Sequence, residues 1–304
     1  MKNMCRILIY KGNFINIKKL LWLPNNSLMK QSYNDPYTPY LDEPNYRNHH
    51  INVDGSGIAW YTDQYDTPCI YKTIKPPWDD LNLLNLCGYV ESFLLFSHIR
   101  GIKPFSKNSI VHDYNCHPFS YKNLLWMHNG DIENILDIKK FIYSNIDDEF
   151  LINIKGNTDS EYCFAIFLNY LKKKNNTLMN NKSIYYSISD LTDAMRLTIY
   201  KVNQLTKSIS SSMNFFFTDG NTIIASRYLN SINEDPPSLY YSTGSEYIYN
   251  SKKEKAYIND ANNSKKCIII ASEPIHNKKE DWNLIPKNII VSVDENNDIN
   301  FTNL

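Results

Sequence analysis

One cysteine near the start of the chain is the first residue that could do chemistry. Cys5 precedes the apolar run from Ile7 to Ile9, so it stands at the head of a predicted strand. A cysteine at a free N-terminus carries a thiol that can attack and an α-amine that can accept the proton, with pKa values of about 8.5 and about 7.7–8.0. Position alone favours a simpler interpretation, a buried core cysteine.

A second candidate follows the predicted strand 124–128. Asn129 and Gly130 offer a side-chain NH₂ and a backbone N–H, which are the donors that an oxyanion hole needs. The same dipeptide is a common hairpin turn. Taken alone, it indicates a turn more strongly than a site.

Two charged residues lie at the ends of other predicted elements. Arg100 follows the predicted strand 93–98, and its guanidinium can grip a carboxylate, although a surface ion pair would use the same residue. Asp159 lies in the stretch 158–161, Thr-Asp-Ser-Glu, and can accept from an ammonium group, whereas this stretch also suits a helix cap. The glycines of the stretch 54–57, Asp-Gly-Ser-Gly, allow a close approach of the backbone but are equally typical of a loop.

Strands at both ends of the chain and helices between them have to position these residues. Short segments rich in Ile, Phe, Tyr and Val predict strands at 5–10, 57–61, 69–74, 93–98, 124–128, 214–218, 222–226, 239–242, 267–271 and 289–293. Two helices are predicted in the middle, one after the capping-like stretch 158–161 and one after Ser187 or Ser189. Their apolar stripes are Tyr162, Cys163, Ile166, Phe167 and Tyr170 in the first, and Ile188, Leu191, Met195, Ile199, Val202 and Leu205 in the second. This order favours an α+β fold with two antiparallel sheets between helices.

The composition excludes several other classes of protein. The 304 residues carry no net charge, and Lys and Arg are scattered, so neither a nucleic acid nor a membrane surface is an expected partner. The six cysteines include no CxxC pair, and no apolar run is long enough for a signal peptide or a membrane span. We therefore expect a cytoplasmic protein with free thiols, folded as one domain with polar insertions near 172–182 and 252–266.

The order of several motifs gives the chain a family resemblance that no single motif carries. The segments are MCRILIYKG, SLMKQSY, DGSGIAWY, LLFSHIRG, NCHPFSYKNLLWMHNGDI, GNTDSEYCFAIFL, FFFTDGNTIIASRY, SLYYSTG and IIIASEPI. With them the chain resembles the class II, or N-terminal-nucleophile, glutamine amidotransferases over nearly its whole length. It is most similar to stand-alone members, such as the amidotransferase-like subunit of the glutathione-degradation complex and the γ-glutamyl amidohydrolase of ergothioneine synthesis. The resemblance implies a four-layer αββα sandwich.

The resemblance also implies a reaction and the residues that carry it out. Cys5 would be the nucleophile, with its own α-amine as base, and Asn129 and Gly130 would form the oxyanion hole. The reaction would hydrolyse the γ-glutamyl amide of glutamine or a glutathione-like compound through a γ-glutamyl thioester. Neither a cofactor nor a metal is expected.

Four further residues would recognise the substrate in this resemblance. Arg100 would bind the α-carboxylate and Asp159 the α-ammonium group, while His98 and His128 would shape the pocket. The leaving group does not follow from these positions, because every γ-glutamyl amide shares the same glutamyl head.

The residues before Cys5 depart from the family pattern. Met1-Lys2-Asn3-Met4 would leave the nitrogen of Cys5 as an amide, which cannot act as a base. We therefore expect the active domain to span 5–304, with the leader 1–4 absent. The alternative is a catalytically silent amidotransferase-like subunit that binds a metallopeptidase or another enzyme.

Two other chemistries compete with this one. Cys116 and His117 could form a Cys-His hydrolase, but adjacent residues of a strand point to opposite faces. The pairs His49–His50 and His112–His117 lack the spacing of a zinc motif. Surface and pocket histidines are the simpler interpretation.

Overall fold

The computed structural model describes residues 5–33, 52–101, 110–176, 182–207, 210–259, 266–276 and 278–304. In these ranges the strands are β1 (Arg6–Asn16), β2 (Ser56–Tyr61), β3 (Cys69–Thr73), β4 (Glu91–Ile99), β5 (Phe119–Tyr121), β6 (Leu124–Asp131), β7 (Ser212–Thr218), β8 (Ile223–Arg227), β9 (Tyr240–Gly244), β10 (Glu246–Asn250), β11 (Lys255–Asn259), β12 (Cys267–Ala271), β13 (Asn283–Leu284), β14 (Ile289–Val293) and β15 (Ile299–Asn303). The helices are α1 (Lys18–Leu21), α2 (Leu28–Gln31), α3 (Leu81–Tyr89), α4 (Ile135–Asn145), α5 (Asp148–Asn153), α6 (Asp159–Lys174) and α7 (Ile188–Leu205). Short 3₁₀ turns occupy Pro77–Asp79, Asp113–Asn115 and Lys279–Asp281.

The strands form two antiparallel sheets and a separate hairpin. The first sheet has the order β13-β9-β12-β1-β4-β2-β3, and the second has the order β15-β14-β8-β7-β6-β5. The hairpin pairs β10 with β11. In the first sheet β1 is central, with Ile9 opposite Ile270 of β12 and Phe96 of β4.

The alternation of side chains along each strand decides which layer each residue joins. On β1, Ile7 and Ile9 enter the core between the sheets, whereas Leu8 and Tyr10 pack on the outer face of the first sheet. On β6, Leu125 and Met127 face the first sheet, and Trp126 packs outward among aromatic rings of α6 and β7. This period of two therefore determines whether a residue near a strand end faces the gap between the sheets.

Helices cover both outer faces. Residues of α1, α2 and α3 and of the β10–β11 hairpin pack on the first sheet, while α4, α5, α6 and α7 pack on the second. The result is the predicted four-layer α+β sandwich with two antiparallel sheets between helical layers, and the prediction of fold class is confirmed.

All ten predicted strands are present. Their observed ends lie within a few residues of the predicted ones, except that β1 extends to Asn16. Both predicted helices begin at one of the capping residues that the sequence offered. The Thr158 hydroxyl accepts from Glu161 N at 3.2 Å, and the Ser187 hydroxyl accepts from Asp190 N at 3.1 Å. The sequence did not indicate the helices α1 to α5, because each is short and mixes apolar with polar residues.

The predicted insertions are only partly described. Lys172 belongs to the last turn of α6 and pairs with Asp147 and Glu149, so the start of the stretch 172–182 is helical, and 177–181 lie outside the described residues. In the stretch 252–266, the strand β11 forms one side of the hairpin, and 260–265 lie outside the description, as does the leader 1–4. Within the described ranges, no helix has the length and apolar character needed to cross a lipid bilayer.

Candidate active site

Cys5 lies where the first strand begins, beside the end of β4. The register of β1 and β4 sets Arg6 opposite Ile99, so residue 5 comes next to residues 100 and 101. Gly101 N donates to Cys5 Sγ at 3.5 Å, and the same sulfur lies 3.8 Å from Gly101 O. The thiol of Cys5 is free and partly exposed.

Charged groups from several elements act on this thiol. Burial raises the pKa of Cys5, and the Asp159 carboxylate adds to that shift, whereas the Gly101 N–H and the cations Arg100 and Arg6 lower it. Charge effects of this kind require short separations, so Arg100 and Asp159 share one end of the fold with the sulfur. Because burial dominates, the thiol is protonated at neutral pH and must give its proton to a base before it attacks.

Backbone contacts fix the position of Arg100. Its amide donates to Gly55 O at 2.8 Å, and its carbonyl accepts from Asp54 N. The guanidinium is buried and donates through Nη1 to Ile110 O at 2.9 Å. The loop before β2 thus holds a cation next to the nucleophile.

The two glycines of that loop are required by a close approach, as the sequence suggested. A Cβ atom on Gly57 would lie 2.0 Å from His117 O. Gly55 has a φ of +116°, and a Cβ there would lie 2.5 Å from Cys116 Sγ. The close neighbour of the loop is therefore the segment around Cys116 and His117.

Asp159 opens helix α6, but it is Thr158 that caps the helix. Asp159 Oδ1 accepts from Ser160 N at 2.7 Å, and Oδ2 accepts from Ile132 N at 3.0 Å. The Ser160 hydroxyl donates to Oδ1 at 3.2 Å. These bonds hold a partly exposed carboxylate in one orientation, on the side of the site contributed by the second sheet.

Asn129 faces the gap between the sheets, because it follows the alternation of Leu125 and Met127. Its Nδ2 donates to Ser272 Oγ at 3.3 Å, across the gap, and the side chain is buried. Among the described residues, Asn129 Oδ1 has no hydrogen-bond partner. At Gly130 a Cβ atom would lie 2.1 Å from Ser212 O, so the site accepts only glycine there.

The two predicted pocket histidines lie on opposite sides of the second sheet. His98, on β4, points across the gap, and its Nε2 donates to His128 O at 3.2 Å. Burial lowers the pKa of His98 to about 3, so its ring is neutral at neutral pH. His117 stacks on it with ring centroids 4.1 Å apart.

His128 faces outward, towards α6, because it is next to Asn129 on the strand. Its Nδ1 lies 3.0 Å from Ser160 Oγ, and its Nε2 lies 2.9 Å from Ser212 O. A carbonyl only accepts, so Nε2 carries a hydrogen. His128 thus acts on the site through Ser160, which in turn contacts the Asp159 carboxylate.

The alternative nucleophile, Cys116, lies in a different setting. It is buried, its Sγ lies 3.6 Å from Thr73 O and from His112 O, and burial raises its pKa to about 11. Among the described residues, neither ring nitrogen of His117 has a hydrogen-bond partner. The part of the chain that the structure describes therefore contains no Cys116–His117 pair that could activate this thiol.

Sequence reasoning assigned no role to three residues that the fold brings to the site. Arg6 donates through Nη1 to Cys5 O at 3.4 Å, Ser272 bonds to Asn129, and Glu273 lies buried opposite Arg6. The signal available in the sequence was a Ser-Glu pair placed directly after the apolar strand at 267–271.

This arrangement, with a cysteine at the head of a central strand and a sandwich of two antiparallel sheets, is that of an amidotransferase-type hydrolase fold. The chain belongs to the glutamine amidotransferases of class II, since the family model with that description matches residues 36–299. It is 35% identical over 303 residues to the probable glutamine amidotransferase DUG3 of Saccharomyces cerevisiae, covering 95% of this chain and 82% of that protein.

Solved structures share the fold. A glutamine aminotransferase class-II domain protein from Silicibacter pomeroyi aligns with a TM-score of 0.59 and 21% identity, covering 99% of both chains. The glutamine phosphoribosylpyrophosphate amidotransferase of Bacillus subtilis aligns with a TM-score of 0.55 and 13% identity, covering 98% of this chain and 49% of that chain. At these identities the likeness concerns the fold alone.

Proposed function

We propose that this protein hydrolyses the γ-glutamyl amide bond of glutamine or of a glutathione-like γ-glutamyl compound, with Cys5 as the nucleophile. The observation that carries the proposal is the clustering of one thiol with one cation and one carboxylate. Arg100 and Asp159 both act on the pKa of Cys5, and they come from different layers of the fold. A free α-amino acid head carries the complementary pair of charges.

In the proposed reaction, the Cys5 thiol adds to the γ-carbonyl carbon and its proton passes to the α-amine of the same residue. The negative charge that develops on the carbonyl oxygen is stabilised by the Asn129 NH₂ and the Gly130 N–H. The C–N bond then breaks, and the leaving amine takes a proton from the α-ammonium group of Cys5. Water hydrolyses the resulting thioester, which releases glutamate and restores the thiol.

The raised pKa of the thiol supports the need for that base. A thiolate formed in advance would not require one, but burial keeps the Cys5 thiol protonated. Ring nitrogens are poor candidates for the role. His98 is neutral but bonded to His128 O, and the contacts of His128 are with Ser160 and Ser212. The α-amine of Cys5 lies on the same residue as the thiol and has a pKa suited to neutral pH.

Glutathione is the favoured type of substrate because the sequence resembles the amidotransferase-like subunit of the glutathione-degradation complex. The relative from Saccharomyces cerevisiae is named as a probable glutamine amidotransferase, so glutamine is included in the proposal. The same resemblance supports a metallopeptidase or another enzyme as a partner that would use the product.

A panel of γ-glutamyl compounds tests the proposal. Purified protein beginning at Cys5 is incubated with glutamine, glutathione and a γ-glutamyl anilide, and released glutamate is measured. Cys5→Ala should abolish release, and Cys116→Ala, which removes the other thiol influenced by Arg100, should retain it. Release that survives Cys5→Ala contradicts the assignment. Binding of a partner enzyme without turnover of any substrate would instead support the silent-subunit alternative.

A further inference from the structure

Two consecutive residues after β12 face opposite sides of the first sheet and lie beside β1. Ser272 continues the alternation of Ile268 and Ile270 and enters the gap between the sheets, while Glu273 follows Ala271 to the outer face. Both side chains are buried, with exposed fractions of 1% and 0%. The dipeptide Ser272-Glu273 therefore places one side chain on each face of the first sheet, next to the strand that carries Cys5.

On the inner side, Ser272 joins the first strand to the proposed oxyanion donor. Its hydroxyl oxygen accepts from Ile7 N at 3.0 Å and from Asn129 Nδ2 at 3.3 Å, and its own amide donates to Ile7 O at 3.1 Å. Ile7 is two residues from Cys5 on the same strand. The hydroxyl thus sets the distance between the Asn129 amide and the strand that carries the nucleophile.

On the outer side, Glu273 lies opposite Arg6. The antiparallel register that sets Leu8 opposite Ala271 brings residues 6 and 273 together when it is continued. Glu273 Oε1 accepts from Ser238 Oγ at 2.6 Å, and Oε2 has no hydrogen-bond partner among the described residues. The carboxylate and the Arg6 guanidinium attract each other. Arg6 donates through Nη1 to Cys5 O at 3.4 Å. The carbonyl of the nucleophile residue therefore accepts from a cation that a buried carboxyl group attracts.

A cation and a carboxyl group buried on the same face call for a reason other than stability. Desolvation of two charges offsets most of their attraction, and well-packed apolar residues of similar volume are often as stabilising. Burial raises the pKa of Glu273 to about 7, because removing the carboxylate from water disfavours its charged form. The pair lies one residue from the nucleophile, where orientation matters most.

We infer that Ser272 and Glu273 are positioning residues of this site, Ser272 acting through the Asn129 amide and Glu273 acting through Arg6 on Cys5. The inference rests on the proposed function for its activity readout, and a second readout on the thiol does not depend on turnover. The charged groups that face the Cys5 thiol are Arg6, Arg100 and Asp159. Those that face Glu273 are Arg6 and Tyr240.

The Ser272 half is tested with Ser272→Ala and the matched variant Ser242→Ala, which removes a buried hydroxyl bonded to Asp281 O elsewhere in the same sheet. Since a displacement of ~1 Å can slow catalysis by ~10²-fold, Ser272→Ala should lower kcat by at least about tenfold, with KM within about twofold of the parent. Ser242→Ala should leave both unchanged. Combined with Asn129→Ala, Ser272→Ala should slow turnover no further, because the residue it positions is gone.

The Glu273 half is tested by replacing both charged residues with apolar ones, Arg6→Met/Glu273→Leu. If the two charged residues served stability alone, this double variant would have the same melting temperature and the same activity as the parent. A positioning role predicts that the double variant has the melting temperature of the parent but a kcat at least about tenfold lower. The rate at which iodoacetamide modifies Cys5 as a function of pH should also report a higher thiol pKa, because the cation Arg6 is lost.

Asp219→Asn is the control for this half, since it removes another buried carboxylate, one that accepts from Asn221 N and Thr222 N. It should leave the pH profile of Cys5 alkylation unchanged. Parental kcat in Ser272→Ala, or parental kcat and alkylation profile in the Arg6→Met/Glu273→Leu variant, would overturn the inference. If the parent protein turns over no substrate, the proposed function fails, and an unchanged alkylation profile would then overturn the Glu273 half separately.

Discussion

Asn129 and Ser272 meet across the gap between the two sheets, with Asn129 Nδ2 3.3 Å from Ser272 Oγ. The two residues are 143 positions apart in the sequence, Asn129 on a strand of the second sheet and Ser272 directly after a strand of the first. Their contact links the second sheet to β1 through Ile7 at the end of the fold where Cys5 lies. It follows that the amide proposed to stabilise the oxyanion is fixed relative to the strand of the proposed nucleophile.

The first prediction concerns this amide. Asn129→Ala should lower kcat for glutamate release by about 10²–10³, because one donor to the developing oxyanion is lost, while KM changes little. Steady-state kinetics with the preferred γ-glutamyl substrate measure both constants. Asn214→Ala is the matched control, since Asn214 is the partner of Asn129 in the adjacent strand and donates to Pro237 O. A kcat reduced equally in both variants would argue against a donor role for Asn129.

The second prediction concerns the recognition of the glutamyl head. A charge-assisted hydrogen bond contributes about 1.5–3 kcal/mol, so Asp159→Asn should lower kcat/KM for glutamine by about 10- to 100-fold. The change should lower kcat/KM for 4-carbamoylbutanoate far less, because this compound has the same amide but lacks the α-ammonium group. Comparing kcat/KM for the two substrates therefore measures the role of the carboxylate directly. If Asp159→Asn slowed both substrates to the same extent, the carboxylate would be serving the loop around Ile132 rather than the substrate.

The third prediction concerns the titration of the Cys5 thiol. Burial raises the pKa of Cys5, so its alkylation by iodoacetamide should rise with pH at higher values than for an exposed cysteine. A cation stabilises the thiolate and a carboxylate destabilises it. Arg100→Gln should therefore move the profile to higher pH, and Asp159→Asn should move it to lower pH. Shifts of the same sign in both variants would show that these side chains do not act on the thiol through their charges.

Much of the fold followed from local patterns in the sequence. The apolar residues from Ile7 to Ile9 indicated a strand, and the polar stretches that contain Thr158 and Ser187 indicated where the two long helices begin. The period of two also predicts that neighbouring residues such as His128 and Asn129 face opposite sides of the sheet. These features depend only on residues close together in the chain.

The remaining features of the fold and the site depend on contacts between residues far apart in the sequence, which no local pattern indicates. Nothing near Ser272 indicates that its hydroxyl meets Asn129, and nothing near Glu273 indicates that Arg6 lies opposite it. The helices α4 and α5 were missed because both are short, and short helices depend on packing, here on the second sheet, for their stability. The glycine loop at 54–57 was noticed, but its neighbour, the His117 carbonyl, became visible only in the folded chain.

The fourth prediction uses two glycines with opposite surroundings. In Gly57→Ala the new Cβ atom would lie 2.0 Å from His117 O, and a backbone oxygen cannot easily move, so the free energy of unfolding should fall by about 1–3 kcal/mol or more. Gly88 lies in α3, and a Cβ atom added there would meet no atom within 4 Å beyond its own helix backbone and chain neighbours. Gly88→Ala should therefore raise the free energy of unfolding by about 0.5–1 kcal/mol. Urea denaturation of both variants tests the pair. An undiminished stability in Gly57→Ala would mean that the 116–117 segment does not pack on this loop as described.

The last prediction concerns the residues before Cys5. The proposed base is the α-amine of Cys5, and it exists only if the preceding peptide bond has been cut, so active protein should begin at Cys5. Protein that keeps Met1 should release no glutamate, whereas protein produced from a start at Met4 and freed of that methionine should be active. Intact-mass measurement of each preparation establishes where the chain begins, and Cys5→Ala in the shortened form controls for contaminating hydrolases. Full activity in protein that demonstrably keeps Met1 would remove the α-amine from the mechanism, and some other group would then have to accept the proton of the Cys5 thiol.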